Sequence, residues 1–334
     1  MLDGPVPDGA RSVSWPWYHH ELRDELTPEA RLVLEDYSGI PPDKLESHIY
    51  RIVSPTPTPI PPLLPTNPNK PPSQRDKAWG LFPWPCVGEF WFLSFGLSQH
   101  PVYSTDILPR LKAGATLLDV GSCLGQDIRK CIHDGADPST LFATDLFPEY
   151  EALAFDLWQD QARMPKHHYI AADLLASNET FLASDLIRIL GPGQMNIIST
   201  TMFLHLFNYQ NQLRAATRIL RLLSHEPGSM VVGSQAGVVK AKEQALKPPF
   251  DKTEDGEERT IYRHSTESFT RLWEEAGAAA GVPLKVNAVF QVPPESVKPK
   301  QVDSGLGDLG AVKKKLSLGK GVESRRLYFT VLRT

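Results

Sequence analysis

The sequence has little cysteine: three residues in 334, at Cys86, Cys123 and Cys131. So few thiols at such uneven spacing build neither a disulfide framework nor a zinc site. An excess of positive charge is also missing. Lys and Arg number 35 against 39 Asp and Glu, a formal net charge of -4. No global field draws phosphate backbones, so nucleic acid is a disfavoured partner. The basic run Lys313, Lys314 and Lys315 lies in a Gly-rich stretch and reads as a solvated loop. No stretch approaches the roughly 20 apolar residues that a membrane helix requires. Asp3, Gly4 and Pro5 stand where a secretory signal would place its basic and apolar regions. The pairs His19-His20 and His167-His168 are adjacent, so on a helix or strand their side chains diverge. With no H-E-x-x-H run and no carboxylate cluster, no metal is expected. These absences predict a cytoplasmic protein in a reducing compartment, with no membrane or nucleic-acid partner. Its hydrophobic content of 41% suffices for a sizeable core.

Proline, by contrast, is plentiful, and 9 of the 30 prolines fall within residues 53–74. That segment has no periodicity and should be extended and solvated. Two readings stand open. It is a surface linker, or it is a retained intron. Removing it joins Ile52 to Arg75 in one helical run, and codons for Val53-Ser54 and Gln74 match intron ends.

Before this segment, Leu22, Leu26, Ala30, Val33 and Leu34 share a helix face, with Thr27-Pro28 as an internal capped start. Residues 43–52 predict a further helix. After it, the aromatic stretch 79–97 serves either core packing or the walls of an acceptor pocket, with Trp79, Trp84 and Phe90 as candidates for the second role. Residues 1–106 thus form an N-terminal helical cap, and 107–334 a ligand-binding core.

In that core, apolar runs at 115–120, 140–144, 168–172, 195–200 and 229–233 predict buried parallel strands. Amphipathic stretches near 125–134, 148–163, 179–190, 207–223 and 266–277 predict the helices between them, the last capped by Ser265 and stopped at Gly277. Strands near 284–292 and 326–332, joined by a long loop, close the set. The expectation is an α/β, Rossmann-like, seven-stranded and mostly parallel sheet with helices on both faces.

The chemistry concentrates at strand ends. Thr116-Leu-Leu-Asp119-Val-Gly121-Ser122-Cys123-Leu-Gly125-Gln126-Asp127 is an apolar strand, an acid and a glycine turn leading into a helix. A dinucleotide fingerprint would be G-x-G-x-x-G. This loop lacks that spacing, and Asp119 would repel a pyrophosphate. The same charge suits the cationic sulfonium and ammonium of S-adenosylmethionine. Asp145 ends the second strand, where a carboxylate can accept ribose hydroxyls, and Asp173 ends the third, within reach of an adenine amino group. Alternatively, each is a helix cap. The cofactor set is therefore Asp119, Gly121, Ser122, Cys123, Gly125, Asp145, Leu146, Asp173, Leu174 and Thr200. After the fourth strand, His205 either takes a proton, orients a carboxylate, or packs under the cap. Gln212 and Gln235 are weaker candidates for the acceptor. An N-P-P-Y or D-P-P-Y run, which marks base methylation, is missing.

LLDVGSCLGQDIRKCIHDGA (117–136), FLHLFNYQNQ (203–212) and GSMVVGSQAG (228–237) resemble the class I methyltransferases of fungal secondary-metabolite clusters, particularly the meroterpenoid type. EDYSGIPPDKLESHI (35–49), RDKAW (75–79) and PWPCVGEFWFL (83–93) resemble the N-terminal part of the same family. The resemblance implies S-adenosylmethionine-dependent O-methylation of a small molecule, often esterification of the carboxyl of a prenylated polyketide acid. Phenol or alcohol methylation and a cofactor-binding protein without turnover are the alternatives; the assembly is a monomer or homodimer. Ser122 departs from an expected Cys, Ser234 from an expected Arg, and segment 53–74 is absent from the family pattern.

Overall fold

The structure, a computed structural model, describes residues 6–7, 9–50, 74–253, 256–291 and 324–334. Except for Gln74 and Ser324 at their edges, the Pro-rich segment and the 293–324 loop, with its three lysines, lie outside these residues.

The seven apolar runs pair in one sheet. Its strands are β1 (Leu117–Val120), β2 (Leu141–Asp145), β3 (Tyr169–Ala171), β4 (Ile197–Ser199), β5 (Met230–Val238), β8 (Leu284–Phe290) and β9 (Ser324–Arg333). Their order is β3-β2-β1-β4-β5-β9-β8. The first five are parallel, and β9 is antiparallel to both neighbours. Strands β1, β4 and β5 are buried along their whole length, which is why they read as unbroken apolar runs. The chain runs outward from β1 through β2 to β3, then crosses back to β4. That reversal opens a crevice at the carboxyl ends of β1 and β4, where such sheets bind ligands.

The helices are α1 (Pro28–Leu32), α2 (Leu45–Tyr50), α3 (Gln74–Leu81), α4 (Pro85–Gly88), α5 (Leu108–Lys112), α6 (Gln126–His133), α7 (Glu149–Trp158), α8 (Asn178–Leu182), α9 (Asp185–Leu190), α10 (Tyr209–Leu222) and α11 (Thr266–Ala280). Several depart from the sequence pattern for local reasons. Leu22 and Leu26 precede α1, which starts only where the Thr27 hydroxyl accepts the Ala30 N–H at 3.1 Å. Helix α7 stops at Trp158 because Gln159 turns left-handed, with φ 51°. The stretch 179–190 splits at the extended Ser184. Gly277 does not end α11. It lies inside the helix because a Cβ there would sit 2.8 Å from both Leu284 Cδ1 and the Val282 carbonyl oxygen, and the stop falls at Gly281 with φ 67°. An unanticipated hairpin, β6 (Lys242–Ala245) with β7 (Thr260–Arg263), lies between β5 and α11. Its short, half-polar strands lack the continuous apolar run that marks the main sheet.

Alternation of side chains supplies two cores. Leu118 and Val120 face the layer with α10 and α11, and Leu117 faces the layer with α5 and α6. Phe269 and Phe329, both buried with centroids 4.7 Å apart, tie α11 to β9. Burying each contributes about 1.5–3 kcal/mol before entropy is counted. A third cluster joins Leu34, Leu45, Trp79 and Phe90 of the N-terminal layer to Leu153, Leu157 and Trp158 of α7.

A buried ionic knot pins this layer to the sheet. Arg129 donates to Asp160 through Nε at 2.8 Å and Nη2 at 3.2 Å, and the Tyr37 hydroxyl donates to the same carboxylate at 2.6 Å. Arg129 and Asp160 are 2% and 1% exposed, so neither charge finds water if its partner is lost. Asp160→Asn should lower the unfolding free energy by about 3–5 kcal/mol in denaturant titration, because it strands a buried guanidinium. Replacing both residues with apolar ones (Arg129→Met with Asp160→Leu) should recover part of that loss.

Candidate active site

The loop after β1 is held by its backbone. The Gly121 and Ser122 N–H groups donate to the Thr144 carbonyl at 2.9 and 3.1 Å. Cys123 N–H donates to Asp145 Oδ2 at 2.9 Å, while its carbonyl accepts from the Tyr169 hydroxyl at 2.8 Å. Trp158 Nε1 donates to the Leu124 carbonyl at 2.8 Å. Gly121 and Gly125 take φ of 75° and 65°, and a Cβ on Gly121 would lie 2.7 Å from Phe203 Cδ2. Left-handed backbone and close packing together demand glycine here. Cys123 adopts φ 50° without being glycine, and its two backbone hydrogen bonds hold it there.

Three carboxylates converge on this loop. Asp119 is 4% exposed, and burial pushes its carboxyl up to about 6, reinforced by the charge of Asp145 and opposed by the neighbouring Ser122 and Ser199 hydroxyls. Burial raises Asp145 to about 6 as well, against the N–H groups of Cys123, Leu146 and Phe147. Asp127, at the start of α6, is driven well above the usual carboxylate range by burial and then by Asp119. Around them, the Ser122, Ser199, Thr200 and Thr201 hydroxyls are buried without a hydrogen-bond partner of ordinary geometry. A buried anionic pocket with unused hydroxyls fits a ligand that is cationic and rich in polar groups. Asp173 lies one strand further out, where its Oδ1 accepts the Leu175 N–H at 2.7 Å.

Beyond β4, His205 occupies a tight turn, 8% exposed, with Nδ1 unpartnered. Burial first, then the charges of Arg263 and Arg326, push its imidazole well below the ordinary histidine value. Arg263 ends β7, is 7% exposed, and has an unpartnered Nε. Arg326 extends from β9, where its Nη1 donates to Gln99 Oε1 at 3.1 Å. Gln235 is 1% exposed with both amide atoms unpartnered, and the Ser234 hydroxyl is likewise unused.

Residues 17–54 match the family model described as the meroterpenoid methyltransferase N-terminal domain. The O-methyltransferase atr3 of Stereocaulon alpinum is 31% identical over 273 residues, covering 82% of this chain and 68% of the relative. The asnovolin E/chermesin D methyltransferase nvfJ of Aspergillus novofumigatus is 34% identical over 263 residues, covering 79% and 81%. The methyltransferase trt5 of Aspergillus terreus is 33% identical over 266 residues, covering 80% and 82%. The chain belongs to the class I, S-adenosylmethionine-dependent methyltransferases of fungal secondary-metabolite clusters, of the meroterpenoid type.

The methyltransferase brings Asp119, Gly121, Ser122, Cys123, Gly125, Asp145 and Thr200 to one crevice, with Leu146 donating its N–H to Asp145 Oδ1 at 2.7 Å. Leu174 faces the core instead, and its carbonyl accepts from Arg218 at 2.6 Å. Other candidates serve the fold. Gln212 spends its amide on the Phe207 and Tyr262 carbonyls at 2.8 and 2.9 Å and on His264 at 3.1 Å, so it locks the β7 hairpin rather than meeting an acceptor. Trp79 donates to the Arg11 carbonyl at 2.9 Å within the N-terminal core, and Phe90 is fully buried there against Tyr50 and Phe92. Trp84 stacks on Phe82, which in turn contacts Phe147 and Phe250. Arg263, Arg326 and Asp127 join the site in the folded chain without a distinct signal of their own in the sequence. Asp127 sits inside the glycine-loop motif, but the arginines lie on a weak hairpin and on the last strand, where spacing carries no signal.

Asp119 binds its proton more tightly when folded than unfolded, so its burial costs more stability as pH rises from about 4 through 6. Ligand-free Asp119→Asn should therefore melt higher than the unmodified enzyme at pH ~7.5, an advantage that fades below pH ~5. The same variant should bind S-adenosylhomocysteine roughly ten- to a hundred-fold more weakly by calorimetry.

Proposed function

We propose that the enzyme methylates a carboxylate of a small-molecule acid, of the polyketide–terpenoid kind, to give a methyl ester. The observation that carries this reading is the buried guanidinium of Arg263, its Nε unpartnered and its Nη1 3.5 Å from the His205 carbonyl, beside an imidazole that burial and then the charges of Arg263 and Arg326 keep neutral. A carboxylic acid is ionised near neutral pH, so its oxygen needs attraction and aim rather than a base. Arg263, with its unpartnered Nε, supplies the attraction and can form a directional, charge-assisted hydrogen bond. It takes the part that an arginine at position 234 would otherwise play. Neutral His205 and the Gln235 amide, both buried and unpartnered, are free to orient the acid. A phenol or alcohol must lose a proton, and an imidazole in so positive a field is a weak base.

The residues present fit the cofactor: Asp119 would face its cationic end, Asp145 its ribose hydroxyls and Asp173 its adenine amino group. When bound, S-adenosylmethionine supplies a methyl group activated by the positive sulfur. The clamped loop and the buried residues Phe95 and Leu97 exclude water and keep the donor pocket from rearranging.

With a carboxylic acceptor, Arg263→Gln should raise KM about ten- to a hundred-fold. His205→Gln should slow turnover less than about tenfold, with no rescue at high pH. The product should release methanol in mild alkali. An alkali-stable product, or a turnover loss in His205→Gln that high pH restores, would instead point to a phenolic or alcoholic acceptor with His205 as base.

A further inference from the structure

Asp127 is a buried carboxyl whose ionised form is disfavoured by burial and by Asp119. It sits in the first turn of α6 at 2% exposure, and its Oδ1 accepts the Leu97 N–H at 3.1 Å. Its other oxygen faces the junction of two chain segments. A Cβ on Gly96 would lie 3.7 Å from Asp127 Oδ2 and 2.5 Å from Thr201 Cγ2. The chain therefore needs glycine at 96 to bring the carboxylate and the β4 turn together. The charges acting on Asp127 are Asp119 and Glu29, which repel it, and Arg326, which attracts it. Repulsion from Asp119 outweighs the pull of Arg326. Two acids confined this closely are stable as a pair of anions only if a cation lies between them. Independently, the Thr200 hydroxyl, on the residue that follows Ser199 at the end of β4, is 1% exposed and has no hydrogen-bond partner.

We propose that Asp127 is a second carboxylate for the ammonium group of the cofactor's amino-acid end, acting with Asp119 across the turn that follows β4. This rests on the cofactor assignment and is independent of the acceptor. The Leu97 N–H fixes the carboxylate's rotamer, and Gly96 leaves the space beside it. Because Leu97 packs with α5 and α6 on the segment that precedes β1, that segment takes part in holding the donor.

The test is calorimetric titration of the whole chain and of Asp127→Asn and Asp127→Ser with two ligands. S-adenosylhomocysteine has the amino-acid end, and 5′-methylthioadenosine lacks it. Both variants should lose roughly ten- to a hundred-fold in affinity for the first ligand. For the second they should stay within about twofold of the unmodified chain. Without ligand Asp127→Asn should melt no lower than it, since its amide oxygen can still accept the Leu97 N–H and a group that burial disfavours as an anion has been replaced. Two variants are used so that misfolding of one does not remove the comparison. Unchanged affinity for S-adenosylhomocysteine, or an equal loss for both ligands, would overturn the proposal. If the unmodified chain bound neither ligand, the cofactor assignment would fall and this inference with it.

Discussion

Everything at the crevice depends on how the loop between β1 and α6 is held. Its amides and carbonyls are tied to Thr144, Asp145, Trp158 and Tyr169, four residues on β2, α7 and β3. Beneath it, Arg129 is locked by Asp160 and reaches back toward Gly125. A loop bonded through its backbone keeps its shape whatever its side chains face. Side chains there are then free to stay unsatisfied until a ligand arrives. This is why Asp119 can be buried and the Thr200 hydroxyl left without a partner.

The arrangement carries a thermodynamic penalty. Buried carboxylates with raised proton affinity and hydroxyls without partners all destabilise the ligand-free state. Such features concentrate where binding or catalysis requires them, and the surrounding core offsets them. Here the offset comes from the fully buried β1, β4 and β5 and from the aromatic seam of Phe269, Trp273 and Phe329. The cationic donor then acts as the missing counter-charge.

Around His205 the polarity is reversed. Arg263 and Arg326 arrive from the β6–β7 hairpin and from β9, elements far apart in sequence, and burial, reinforced by their charges, keeps His205 neutral. Gln212 and His264 fasten that hairpin to the turn bearing His205, so a residue that looks like an acceptor contact instead fixes where Arg263 stands.

Much of this was legible in the chain itself. Long apolar runs declared the main strands, because burial on both faces leaves no room for polar residues. The acids at three successive strand ends declared the cofactor, because strand order forces those ends together. Features set by neighbours distant in sequence were not legible. Gly277 resembles a helix stop until Leu284 is seen to need its space. Trp79 and Phe90 resemble pocket walls until they are seen buried in the N-terminal core. The sequence by itself determined the parallel sheet, the anionic glycine loop and the family, since each follows from local pattern. Only tertiary structure decided which charges face one another: Arg263 and Arg326 around His205, and Asp127 against Asp119. Electrostatic effects depend on distance through space and on exclusion of water, and neither is written in residue order.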